Sequence, residues 1–174
     1  MDANRSGPVV CIAGVVQGPR AGTATADQSY RARIEAAVRA RSPEATVFCP
    51  VTALHESFAG NPQELAAEFE SLPAQPLVRE EAMPELVLAV RQRFRELVLQ
   101  AGRADVLIAY LPAELSMGTA MEMWAASANA RPVITITPMN QNLAIVSTST
   151  VIVPTLEAFE AMVSSGELDT YLRA

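Results

Sequence analysis

The run Ser116-Met117-Gly118-Thr119-Ala120-Met121-Glu122 is the part of the chain best suited to chemistry. If it opens a helix, its first backbone N–H groups lack partners inside the helix and sit at the positive end of the dipole, which makes the turn a natural anion site. Ser116 is then either an N-cap alone or an N-cap whose hydroxyl also touches a ligand. Met117, Gly118 and Thr119 would supply the amides. Glu122, one turn in, has two readings. It is a first-turn acid that compensates the dipole, or it is a carboxylate partly desolvated by Met121, Met123 and Trp124 and so useful as a nucleophile or acid.

The rest of the inventory narrows the chemistry by exclusion. With a single histidine, His55, a multi-histidine metal site is excluded, and a catalytic triad would need His55 as its base. His55 follows a predicted strand, either solvated in its loop or facing a crevice. Cys11 and Cys49 sit in apolar runs without paired metal or redox spacing and read as buried thiols. Catalysis must therefore lean on carboxylates and hydroxyls, and no metal or cofactor is expected. Gly14-x-x-x-Gly18 is not the dinucleotide fingerprint, which disfavours a nicotinamide enzyme. The balance of 13 basic against 19 acidic residues, a net charge of −6, argues against tracking a nucleic-acid backbone. Apolar runs such as Val106–Leu111 are too short for a membrane span, which needs about 20 residues. The start of the chain shows no export signal, so a soluble cytoplasmic protein is expected.

These residues need elements to hold them. Val9–Val16 reads as a strand buried on both faces, broken by a loop containing Gly14, Gly18 and Gly22. Asp27 is a plausible N-cap for a helix from about Gln28 to Arg41, and Thr46–Cys49 reads as a second strand. Residues 51–84 form an excursion on the rim, with a short helix near Gln63–Ser71 between prolines that include Pro73 and Pro76. A helix from about Glu85 to Ala101 is ended by Gly102. Strands follow at Asp105–Leu111, Val133–Thr137 and Thr150–Val153. Helices are expected from about Met117 to Ala130 and over Thr155–Ser164. At 174 residues the alternation fits one α/β domain over 1–174, with residues 1–7 flexible. Its fold is three-layer and doubly wound, with a mostly parallel five-stranded sheet of Rossmann or flavodoxin type. Loops Gln17–Ala26, Pro50–Ser57 and Pro112–Met117 leave the carboxyl ends of strands and should meet around one crevice.

Gly-Thr-x-x-Glu at 118–122 follows the strand-like Ala104–Ala109 and precedes Trp-Ala-Ala-x-Ala-Asn-Ala-Arg-Pro-Val. With the opening Cys-Ile-Ala-Gly-Val-Val-Gln-Gly-Pro-Arg, Tyr30 and Asn142-Leu143-Ala144-Ile145, this pattern resembles the nucleoside 2-deoxyribosyltransferase superfamily, which includes nucleoside 5′-monophosphate N-glycosidases. The resemblance covers about two-thirds of the chain and leaves out residues 55–84. It implies that Glu122 attacks the anomeric carbon to give a glycosyl-enzyme ester, the retaining logic of glycosidases. Serine rather than aspartate at position 116 resembles the monophosphate hydrolases and favours a nucleotide substrate. Hydrolysis of the base–sugar bond of a nucleoside 5′-monophosphate is thus the leading expectation. The alternatives are base exchange between nucleosides and an inactive nucleotide-sensing module.

The resemblance further implies a sugar-binding carboxylate in the helix before the third strand, for which Glu96 is the nearest match. Tyr30 would contact the sugar, and Gly14, Gln17, Gly18 and Arg20 would form the ligand loop, with Arg20 on the phosphate. Gln17 departs from the arginine usual in the hydrolases. Met117, Met121 and Met123 could line a base slot, with His55 near the base. Asn142 would complete a neighbouring subunit's site, which implies a homo-oligomer.

Overall fold

The computed structural model describes residues 7–18, 20, 24–72 and 77–172. Residues 1–6, together with Gly22, Pro73 and Pro76, lie outside the described residues. The elements in chain order are β1 (Val9–Gly14), α1 (Tyr30–Arg41), β2 (Thr46–Phe48), α2 (Pro50–Phe58) and α3 (Pro62–Ser71). A 3-10 turn at Glu80–Ala82 leads into α4 (Glu85–Ala101), β3 (Val106–Tyr110), α5 (Met117–Ala128) and β4 (Val133–Ile136). The chain closes with α6 (Leu143–Thr148), β5 (Val151–Val153), α7 (Leu156–Ser164) and α8 (Leu168–Leu172).

All neighbouring strands pair in parallel in the order β2-β1-β3-β4-β5, the flavodoxin-type order. Both faces of the sheet are covered, which is why its strands read as unbroken apolar runs. Side chains alternate between the faces. Val10, Ile12, Val106, Ile108, Ile134 and Ile136 pack under α1 and α7 with Ile34, Val38 and Phe159. Cys11, Ala13, Leu107, Ala109 and Val133 pack under α4 and α5 with Ala101, Met123 and Ala126. Gly102 follows α4 with an ordinary helical φ of −64°. Its small size serves packing, because a Cβ there would come within 2.9 Å of Ala125 Cβ on α5.

The structure departs from the sequence reading at several element boundaries. β1 ends at Gly14 rather than Val16, although Val15 remains buried. α1 starts at Tyr30, and Asp27 accepts hydrogen bonds from the backbone N and Oγ of Ser29 instead of capping the helix. The expected loop Pro50–Ser57 is helical: Pro50 occupies the first turn of α2, where its fixed φ suits helix initiation. The short helices α6 and α8 are likewise additions to the reading.

The order of the strands decides where a ligand can enter. From β1 the chain crosses to β2 on one side, while β3 continues the sheet on the other. The loops after β1 and β3 therefore diverge at this switch point and leave a crevice beyond the carboxyl ends of the strands. Phe159 on α7 is fully buried in the face that supports α1 and the crevice floor. Phe159→Ala is expected to lower unfolding free energy by about 3–5 kcal/mol, read as a lower denaturant midpoint with unchanged slope.

Candidate active site

The first turn of α5 is built as its sequence suggests. Ser116 is the N-cap, with extended backbone, and its hydroxyl oxygen accepts from Thr119 N at 3.3 Å. Its hydroxyl proton stays available to a ligand. A Cβ at Gly118 would stand 3.3 Å from the Phe94 ring, so α4 packs closely against this turn. Thr119, Glu122, Met123 and Ala126 form the buried stripe of α5. Glu122 is therefore turned toward the sheet with only 6% of its surface exposed, whereas an acid that merely compensates a dipole would sit in water. Loss of hydration pushes its carboxyl up to about 7, while the charge of Arg31 pulls it down.

Arg31 was not singled out from sequence. Its guanidinium folds back over the ends of β1 and β2, where Nη1 donates to Ile12 O at 2.6 Å and to Cys49 Sγ at 3.4 Å, and Nη2 donates to Gly14 O at 3.4 Å. Nε donates to Gln28 Oε1 at 2.7 Å, and Cζ lies 5.0 Å from the Tyr30 ring centre. Burial pushes the Cys11 thiol up, and the neighbouring Glu122 charge adds to this, so Cys11 is held neutral beside the carboxylate.

A cleft of about 350 Å³ opens at the switch point, between the loops that follow β1 and β3. Tyr30 and Tyr110 form its aromatic wall, with ring centres 4.4 Å apart and planes tilted by 32°. Gly14 makes room for Tyr30, since a Cβ there would run into the phenol oxygen. Burial pushes the Tyr30 hydroxyl well above its usual range, so it stays protonated. Tyr30 Oη and Thr119 Oγ1 are buried and have no hydrogen-bond partner among the described residues. Glu122 is not in the cleft wall. Its helix covers the opposite face of the sheet from Tyr30, and its charge reaches the Tyr30 hydroxyl around the end of β1.

Arg20 reaches the cleft as expected, but not as a free cation. Its Nη1 pairs with Glu114 Oε2 at 2.9 Å and also donates to Gln17 O at 3.2 Å. Gly18 has φ +58°, and a Cβ there would lie 3.0 Å from Glu114 Oε2, so glycine serves both the turn and the close approach. Gln17 is exposed.

Two of the expected site residues lie outside the cleft. Glu96 is exposed on α4, where its carboxylate accepts from Gln92 and Arg93, and it lines no part of the cleft. His55 is exposed on α2 rather than in a loop, and it too lines no part of the cleft. Of Met117, Met121 and Met123, only Met123 is buried; Met117 is 86% and Met121 44% exposed. These two join Trp124 on an apolar outer face of α5, and α6, packed against α5, exposes Leu143 and Val146. Asn142 caps α6, its Oδ1 accepting from Ala144 N and Ile145 N. Among the described residues, no cluster of three or more His, Cys, Asp and Glu side chains could hold a metal ion. No helix among them is long and apolar enough to cross a membrane.

No family model matches the chain, and none of the curated proteins matches it. Among solved structures it is similar to a 2-deoxyribosyltransferase from the psychrotolerant bacterium Bacillus psychrosaccharolyticus. The two are 17% identical over 87% of this chain and 90% of that chain, with a TM-score of 0.49. The strand order defines the class of the present chain, a doubly wound parallel α/β protein with its crevice at the switch point.

The raised carboxyl of Glu122 has a thermodynamic consequence. The folded state holds this proton more tightly than the unfolded chain, whose carboxyl titrates near 4.5. The resulting stabilisation is complete below pH 4.5, is lost progressively as pH rises to about 7, and is absent above that. It amounts to about 3 kcal/mol. Glu122→Gln removes the titration, so the stability of the unmodified protein relative to this variant should fall by about that amount between pH 4.5 and 8. Chemical denaturation at a series of pH values measures it, and parallel curves would contradict the burial argument.

Proposed function

We propose that this chain breaks the N-glycosidic bond of a nucleoside or nucleoside 5′-monophosphate, with Glu122 as nucleophile. The observation that carries this reading is a buried carboxylate, pushed up to about 7, in the second turn of α5 on the side that faces the sheet. A Glu122 oxygen attacks C1′ of the sugar, the C1′–N bond breaks, and its electron pair leaves with the base, which gains a proton from solvent. Water or a second base then attacks C1′ of the glycosyl ester and releases the Glu122 carboxylate. The sugar lies over the first turn of α5, where Ser116 and the following amides can hold its oxygens. The remainder extends toward the wall formed by Tyr30 and Tyr110, and the Tyr30 hydroxyl, lacking a protein partner, donates to a substrate oxygen. The sensing alternative lacks support here, because a pure binding site gains nothing from a desolvated carboxyl near 7.

The nucleophile must be ionised, so kcat/KM should rise about tenfold per pH unit on the acid side and level off above pH 7. Glu122→Ala and Glu122→Gln should each lower kcat/KM by at least about 100-fold while remaining folded. Release of free base, followed chromatographically across pH, measures both effects. Near-normal turnover in either folded variant would remove Glu122 from the mechanism.

The active form is proposed to be a homo-oligomer. Met117, Met121, Trp124, Leu143 and Val146 make an exposed face without charged side chains on α5 and α6, which a second copy can cover with the same face. Asn142 lies at the edge of that face, at the start of α6. Light scattering should report a dimer or larger assembly, and Trp124→Glu should shift it to monomer with loss of turnover. A fully active monomer would exclude a shared site.

A further inference from the structure

We propose that Glu114 is a specificity-determining residue that keeps 5′-phosphorylated ligands out of the switch-point cleft by occupying Arg20. The inference rests on the functional reading above for its substrate class, and on the ion pairs at the cleft for its physics.

The charged side chains that line the cleft are Arg20, Arg33, Asp27 and Glu114. Both arginines are already ion-paired. Arg20 Nη1 is held by Glu114 Oε2 at 2.9 Å and by the carbonyl of Gln17. Arg33 Nη2 is held at 3.0 Å by both Glu157 and Glu160 on α7, and its Nε also donates to Glu160. Hydrogen bonds from Ser29 hold the Asp27 carboxyl below its usual range, so that group remains anionic. A phosphate entering the cleft thus meets two carboxylates and two arginines already paired. To reach Arg20 Nη1 it must displace Glu114, and anywhere beside that guanidinium it meets the repulsion of the Glu114 carboxylate.

The Arg20–Glu114 pair also joins the loop after β1 to the loop after β3 across the mouth of the crevice. Gly18, at φ +58°, brings the first loop close enough for the pair to form. Both side chains are partly solvated, at 35% and 43% exposure, so the pair adds little to stability. Its consequence is local: the cation nearest the cleft presents no net charge to a ligand. Ser116 on the α5 turn still offers its hydroxyl proton and the amides behind it, which suit the oxygens of a neutral sugar.

The test measures binding of inorganic phosphate by titration calorimetry, and the ratio of kcat/KM for a nucleoside 5′-monophosphate to that for its nucleoside. Glu114→Gln frees Arg20 and should tighten phosphate binding roughly tenfold, raising the ratio roughly ten- to a hundredfold. Adding Arg20→Gln to that variant should return both values. Arg20→Gln alone should leave phosphate affinity nearly unchanged, because Glu114 already neutralises the arginine. Tight phosphate binding by the unmodified protein that Arg20→Gln abolishes would overturn the proposal, as would a Glu114→Gln variant with unaltered affinity and ratio. If no nucleoside or nucleotide is turned over, the glycosidic reading fails while the phosphate measurements still decide the role of Glu114.

Discussion

A carboxylate held out of water at the end of a parallel sheet is the constraint on which the rest of the site depends. Glu122 cannot be ionised there without cost, and a group raised to about 7 survives in a core only if its surroundings are fixed. The sheet supplies that rigidity. Its strands are covered on both faces, and α5 lies directly against β1 and β3, so the first turn of the helix cannot drift from the strand ends. Arg31 moderates the cost, and its own charge is absorbed by the carbonyls of Ile12 and Gly14 and by the Tyr30 ring. Cation and carboxylate thus act on each other around the end of β1, with neutral Cys11 beside the acid.

The switch point converts this packing into access. In a sheet ordered β2-β1-β3-β4-β5, the loops after β1 and β3 part, and small residues line the gap where they part. Gly14 admits the Tyr30 ring, and Gly18 allows Arg20 to approach Glu114. The cleft wall is aromatic at Tyr30 and Tyr110, both of its arginines are ion-paired, and Asp27 remains an anion held by Ser29. Such a surface suits a flat, largely neutral ligand with a few polar atoms. The carboxylate and the aromatic wall lie on opposite faces of the sheet, so a ligand that uses both must straddle the end of β1.

The strands were legible because burial on both faces leaves an unmistakable apolar run, as in Val106–Leu111. The cap Ser116 was legible because its chemistry is local, and its side chain accepts the expected backbone hydrogen bond. Glu96 lies on the exposed side of α4 for a geometric reason. The family match reaches Glu96 only with a one-residue change of spacing, and each residue on a helix turns the side chain by about 100°, enough to move it from one face to another. His55 was misplaced because Pro50 was taken to end a strand when it also starts α2. The Arg20–Glu114 pair joins residues 94 apart in sequence, and no periodicity or local motif signals such a contact. Arg31 escaped notice for the same reason, since its partners lie on β1 and just after β2 and come together only in the folded sheet.

The most direct test of the central claim is to trap the covalent intermediate. Incubation with a nucleoside carrying fluorine at the 2′ position, which slows breakdown of the glycosyl ester, should inactivate the protein and leave the mass of the fluorinated sugar on the peptide containing Glu122. Turnover of ordinary substrate without any such label, or a label on a different residue, would contradict the account.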